Sequence, residues 1–136
     1  MQAARGRRED DPFRPRFFLN YCTYGYTLCW WQWKDWERLI DWMALNGVTL
    51  ALANTGQEAV WQKVWRRMGL SDEQIRSYFT GPAVLPWHRM MNLDRWLGPL
   101  PQKWIDAQAK LQKRIDLHIK ISLLDTGQKI TYHFLF

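Results

Sequence analysis

The sequence predicts an α/β protein built on parallel strands, and three observations carry that expectation. Short apolar runs with no polar face alternate with stretches of helical periodicity. Their order is strand, helix, strand, helix, which is the signature of βαβ units. The second apolar run, Val48-Thr49-Leu50-Ala51-Leu52-Ala53, lacks the alternation of a half-exposed strand and reads as one covered on both faces.

The elements follow in order. Arg5, Arg7, Arg8, Arg14 and Arg16 crowd the first stretch, offset in part by Glu9, Asp10 and Asp11 and interrupted by Gly6, Pro12 and Pro15. A basic arm can bind an anionic surface by neutralising phosphates. This run is short and broken by proline, so residues 1–15 read as a disordered, solvated terminus. Arg16 to Cys22 is dense in aromatic and apolar side chains and predicts a short buried strand. From Trp33 to Asn46 the period becomes helical: Trp36, Leu39, Ile40 and Met43 share one face, while Lys34, Asp35, Arg38 and Asp41 take the other. Gly47 stands where a helix commonly ends in the left-handed conformation. The strand 48–53 follows, and the turn Asn54-Thr55-Gly56 leads into a helix from Gln57 to Met68.

Ser71 with Gln74 three residues later forms a capping box for a short helix ending near Phe79. Residues 82–101 hold Pro82, Pro86, Pro99 and Pro101 and predict an irregular, structured loop. Pro101 suits the first turn of a last helix running to about Leu117, with Trp104, Gln108, Leu111 and Ile115 along one face. Two strands do not make a stable sheet of this kind, and a closed (β/α)8 barrel takes roughly 250 residues. Residues 16–117 are therefore expected to hold part of a TIM-type barrel: its first two strand–helix units, an extra helix and a long loop. Residues 118–136 do not read as a third strand with its loop and are expected to be an aberrant tail.

Composition narrows the function classes. The chain has 136 residues, 47% of them hydrophobic, which is enough for one core, and a net charge of +6. Ten tryptophans exceed what core packing usually asks for. Surplus Trp serves either a Trp-rich core or a sugar site, where the ring lies on the C–H face of a pyranose. Cys22 and Cys29 are too few for a disulfide framework, and their spacing matches no zinc pattern. No apolar h-region opens the sequence, so no signal peptide is expected in it. No run reaches membrane-spanning length.

In barrels of this type the chemistry gathers on the loops after the strands. Two such places exist: Asn20-Tyr21-Cys22-Thr23, and Asn54-Thr55-Gly56-Gln57-Glu58. Glu58 can serve a site there or simply favour the helix N-terminus through the dipole. Cys22 fits a buried small hydrophobe better than a nucleophile. Glycoside hydrolysis needs two carboxylates, about 5 Å apart in retaining enzymes. Glu58 is the one acid at a strand's C-terminal end, so the chain by itself offers no catalytic pair.

Several strings carry a resemblance: Asn20-Tyr21-Cys22-Thr23, Trp30-Trp31-Gln32-Trp33, Ile40-Asp41-Trp42-Met43-Ala44-Leu45-Asn46-Gly47, Thr55-Gly56-Gln57-Glu58-Ala59-Val60-Trp61-Gln62, Phe79-Thr80-Gly81-Pro82-Ala83 and Gly98-Pro99-Leu100-Pro101. Over residues 16–117 the sequence resembles the alpha-N-acetylglucosaminidases, glycoside hydrolase family 89. The resemblance implies a retaining exo-glycosidase without a cofactor. Its substrate would be a glycan ending in alpha-linked N-acetylglucosamine, such as heparan sulfate, in a lysosomal or secreted setting. It implies catalytic glutamates on later strands, hence no catalytic residue and no activity in this chain alone. It carries over part of a sugar pocket: Asn20, Cys22, Gln57, Glu58 and Trp87. It implies neither a nucleic-acid nor a membrane partner. This sequence departs from the family pattern at Gln32, where Asp is usual, and at His88 and Met91, where glycine is usual. The other reading of the residues is a non-enzymatic, Trp-rich module binding polyanionic glycan or nucleic acid.

Overall fold

In the computed structural model the chain is described for residues 15–126 and 131–133, with side chains through residue 119. Most of the expected basic arm, residues 1–14, lies outside the described residues.

Three short strands form one parallel sheet in the order β1 (Phe17–Phe18), β2 (Leu50–Leu52), β3 (Thr131–His133). Phe17 pairs with Leu50 and Phe18 with Ala51; Leu50, Ala51 and Leu52 pair with Thr131, Tyr132 and His133. The two expected strands are thus parallel neighbours joined by a helix. β2 lies between partners, and Ala51 and Leu52 are buried, as an all-apolar run requires.

β1 is shorter than the seven-residue strand expected from Arg16 to Cys22. Leu19 adopts φ +71, a left-handed turn that takes the chain out of the ladder. Asn20 then closes a local turn, its Oδ1 accepting from the Thr23 amide at 3.1 Å and its carbonyl from the Thr23 hydroxyl at 2.8 Å. Helix α1 (Thr23–Tyr26) and a 3-10 turn (Leu28–Trp30) follow.

Helix α2 (Trp33–Leu45) starts where the Asp35 carboxylate accepts from the Gln32 amide at 2.9 Å. The same carboxylate is favoured by the helix dipole in this first turn. Trp36, Ile40, Met43 and Ala44 are its buried residues, one stripe at helical spacing. Full burial of a side chain such as Ile40 contributes roughly 1.5–3 kcal/mol. The helix stops at Asn46 and at Gly47, whose φ is +66. A side chain at Gly47 would also run into Arg16, whose Nε donates to the Gly47 carbonyl.

Helix α3 (Gln57–Arg67) begins from Gly56 at φ +73, where an added Cβ would meet the Gln108 carbonyl at 2.9 Å. Helix α4 (Asp72–Tyr78) carries the expected capping box: the Ser71 hydroxyl accepts from the Gln74 amide at 3.2 Å, and the Gln74 side chain accepts from the Ser71 amide at 2.9 Å.

Two expectations need correction. The segment read as an irregular loop contains a 3-10 turn (Pro82–Val84) running into helix α5 (Leu85–Arg89). Pro82 and Pro86 occupy first-turn positions, where a missing N–H costs nothing, so they start helical segments here and do not break them. The last helix, α6 (Gln102–Thr126), runs past Leu117, and Thr131–His133 then pairs beside β2. Residues 118–136 therefore do contain a third strand. Ile115 and Ile119 continue the apolar face of α6 against α2 and β2, which extends the helix beyond the expected end.

Buried side chains form two clusters. One joins Tyr24, Trp36, Ile40, Met43, Val48, Ala51, Leu52, Ile115 and Ile119 around the sheet. The other joins Ile75, Phe79, Leu85, Leu100 and Ile105 between α4, α5 and α6, with Trp61, Trp65 and Trp104 packed against it. No helix among the described residues is long and apolar enough to cross a membrane.

Candidate functional site

Three contacts join the segments after β1 and β2 to each other and to the proline-rich segment. The first is at Gly25 in α1, where a Cβ would stand 2.8 Å from the Trp87 ring and 2.9 Å from Pro86. Glycine at this position lets α1 lie directly on α5, and Tyr26 meets Trp87 edge-on at 6.1 Å. Secondly, Tyr24 is buried, and its hydroxyl donates to the Leu52 carbonyl at the end of β2. Burial pushes its phenol pKa far up, so it is a neutral donor.

The third contact is an ion pair. Arg89 of α5 donates from Nε to Glu58 Oε1 at 2.8 Å and from Nη2 to Glu58 Oε2 at 3.0 Å. The two side chains are 3% and 0% exposed. This two-pronged geometry suits a guanidinium and a carboxylate, and it ties the start of α3 to α5. Both charges depend on each other, because an isolated buried ion costs several kcal/mol.

The expected site residues divide by depth. Asn20 is exposed and Cys22 half-buried, both beside the turn after β1. Trp87 is half-buried against Gly25 and Tyr26 of α1. Gln57 and Glu58 are buried, and both Glu58 oxygens are held by Arg89. The sequence placed Glu58 as an acid facing a pocket; the structure gives it an internal partner 31 positions away.

Three polar residues here are buried to a depth that had no signal in the sequence. Arg89 lay in a proline-rich segment with no motif to point to its partner. Asn54 and Thr80 are 1% and 0% exposed, and neither the Asn54 amide nor the Thr80 hydroxyl has a hydrogen-bond partner. Native proteins pair the large majority of their buried polar groups, so these two side chains stand out from the packing around them. His88 is also buried, set among Tyr78, Phe79 and Trp61 at 5.0, 5.4 and 5.6 Å between ring centroids. Burial lowers its pKa, against a smaller upward pull from Glu58. Cys29 is buried with its thiol pKa pushed up, which makes it a poor nucleophile. Among the described residues, no group of His, Cys, Asp or Glu could hold a metal ion.

The pattern for the alpha-N-acetylglucosaminidase (NAGLU) TIM-barrel domain matches residues 16–121. The chain belongs to the alpha-N-acetylglucosaminidase family. Human alpha-N-acetylglucosaminidase is 53% identical over 107 residues, covering 79% of this chain and 14% of the human protein. A family 89 glycoside hydrolase from Clostridium perfringens, solved with PUGNAc, superposes with a TM-score of 0.76 at 36% identity. That similarity covers 89% of this chain and 13% of the bacterial one. A second structure of the bacterial enzyme, with its substrate GlcNAc-alpha-1,4-galactose, matches equally well. The chain thus spans about 14% of the length of its human relative. Family similarity reaches residue 121, four positions beyond Leu117, where the sequence alone placed its end.

Proposed function

We propose that this chain is the opening part of a (β/α)8 glycosidase barrel that removes terminal alpha-linked N-acetylglucosamine. It supplies one wall of the sugar pocket and is inactive alone. The observation that carries this reading is the convergence of α1, the start of α3 and α5 at the C-terminal ends of β1 and β2, in a chain of this family. Asn20 and Cys22 would face the sugar from the first loop, with Trp87 beside them. Gln57 and Glu58 would act from beneath, Glu58 through its hold on Arg89.

Retaining hydrolysis requires a nucleophilic carboxylate and an acid/base carboxylate about 5 Å apart. Both oxygens of Glu58 are held by Arg89, which leaves its carboxylate spoken for. Both catalytic glutamates are accordingly assigned to strands outside this chain. On this reading the substrate is a glycan ending in alpha-linked N-acetylglucosamine, such as heparan sulfate, acted on in a lysosomal or secreted setting without a cofactor; the family membership supports the glycosidase class.

The test is turnover of an aryl alpha-N-acetylglucosaminide by the purified chain. No release of the aryl alcohol above buffer is expected. Hydrolysis abolished by Glu58→Gln would place catalysis here and overturn the assignment.

A second reading, a non-enzymatic binding module, draws on the exposed Trp30 and Trp96 and the net charge of +6. Glycan binding without turnover, undiminished by substitution of Asn20 or Trp87, would favour it.

A further inference from the structure

A cleft of about 390 Å³ opens between the start of α2 and the first half of α6. Trp30, Trp31, Trp33 and Trp104 line it, together with Lys110 and Arg114. It shares no residue with Asn20, Cys22, Gln57, Glu58 or Trp87. Trp30 is 61% exposed, an unusual position for so large an apolar ring. The Arg114 guanidinium stands 4.0 Å from the centroid of the Trp33 ring. That contact holds the guanidinium against an aromatic wall, and among the described residues no hydrogen bond or ion pair uses its N–H groups. Among the described residues neither Lys110 nor Arg114 has a carboxylate partner, and no acid lines the cleft.

Flat aromatic faces beside unpaired cations specify a ligand with two features: an apolar face of ring C–H groups, and a fixed negative charge at its edge. We propose that this cleft binds an anionic saccharide, a pyranose unit bearing a sulfate or carboxylate. The sugar face lies on Trp30 or Trp104, and the anion is gripped by Arg114 and Lys110. Gln32 and Gln108, also in the lining, offer amides to its hydroxyls. The site is separate from the proposed pocket: α1 and the 3-10 turn stand between the first loop and α2, and the cleft opens toward α6. A neutral glycan would leave both cations unanswered, and a bare anion would leave the indole faces empty.

The test is calorimetric titration of the full chain with a sulfated, uronate-containing tetrasaccharide. A neutral glucose tetrasaccharide, inorganic sulfate and a short single-stranded RNA serve as comparison ligands. The sulfated sugar is expected to bind, and to bind more weakly as salt is raised. The double substitution Lys110→Gln/Arg114→Gln should weaken it about tenfold or more, the size of one lost charge-assisted hydrogen bond. Trp30→Ala, at an exposed ring, should weaken it independently and provides a second reading if the double variant loses helix content. Unchanged affinity in both variants would place binding elsewhere, on the basic stretch that opens the sequence, and overturn the proposal. Equal or tighter binding of the neutral sugar, of sulfate or of RNA would overturn it as well, as would the absence of binding by the sulfated sugar.

Discussion

Around β2 the buried side chains are almost all apolar: Trp36, Ile40, Met43, Val48, Ala51, Leu52, Ile115 and Ile119. Around α3, α4 and α5 the same depth holds Glu58, Arg89, His88 and Thr80 among Ile75, Phe79 and Leu85. The first region follows from non-directional burial, which tolerates any side chains of suitable size and pattern. The second depends on particular pairs and leaves several polar atoms unanswered, where the first leaves the Trp36 indole N–H, and it carries more positive-φ residues than the single Leu19 of the first. Met91, Arg95 and Leu97 all have positive φ, within seven residues. The sheet region serves as scaffold, whereas the α3–α5 region keeps geometry that packing alone would not select.

The largest expected effect sits in the second region. Arg89→Ala strands the Glu58 carboxylate without a partner and should cost about 3–5 kcal/mol. The double variant Glu58→Gln/Arg89→Met removes both charges and should recover much of that loss. Urea titrations of the three proteins measure the coupling. A loss below about 1 kcal/mol for Arg89→Ala would mean water reaches Glu58, and the contrast between the regions would then collapse.

Ile40→Ala probes the scaffold. Ile40 is fully buried, so the loss should be about 3 kcal/mol, the transfer of its methyl groups plus a cavity. No single partner substitution should rescue it, because no specific pair is broken. Rescue by one neighbouring change would show that the sheet region is as specific as the other.

That contrast also governs what the sequence reveals. The stripe Trp36, Leu39, Ile40 and Met43 and the two-sided run at 48–53 are periodic, so helix, strand and their parallel pairing are legible in one dimension. The first strand is over-read because left-handed Leu19 leaves no mark in a run of apolar residues. The α5 segment is missed because prolines that start helices look the same as prolines that break them. The end of α6 is misplaced because Ile119 gains its meaning only from α2 and β2, which are distant in sequence. At the candidate site, loop positions are legible and depth is not. Asn20 and Glu58 both follow strands, yet one is exposed and the other wholly buried, a difference made by Arg89 from across the fold.

His88 offers a smaller, pH-dependent probe of the polar region. Its pKa is lowered by burial, so the folded state resists a proton that the unfolded chain takes up below about pH 6.5. The unfolded state then binds more protons, and stability falls as pH drops from about 6.5 toward the lower folded-state value. Above that window His88 is neutral in both states and contributes no slope. Melting curves at stepped pH should show this decline in the wild type and a flatter profile in His88→Gln. Equal slopes would mean that His88 is already charged or solvated in the folded state.

Met91→Gly should give the smallest effect and the opposite sign. Met91 is 75% exposed and has φ +62, a conformation costing a side-chain-bearing residue roughly 1–2 kcal/mol. Glycine relieves that strain but gives the unfolded chain more freedom, worth about 0.5–1 kcal/mol against folding. The balance is a gain of less than about 1 kcal/mol, since little buried surface is lost with a mostly exposed side chain. The family resemblance implies glycine here and at His88, but the two positions differ physically. His88 fills a buried space between Trp61, Tyr78 and Phe79, whereas Met91 only edges the cleft formed by Val60, Trp61, Val64, Trp65 and Tyr78. Substitution by glycine should therefore be harmful at the first position and mildly favourable at the second. A clear destabilisation by Met91→Gly would mean that the thioether closes this cleft, making Met91 part of the packed region and not a strained bystander.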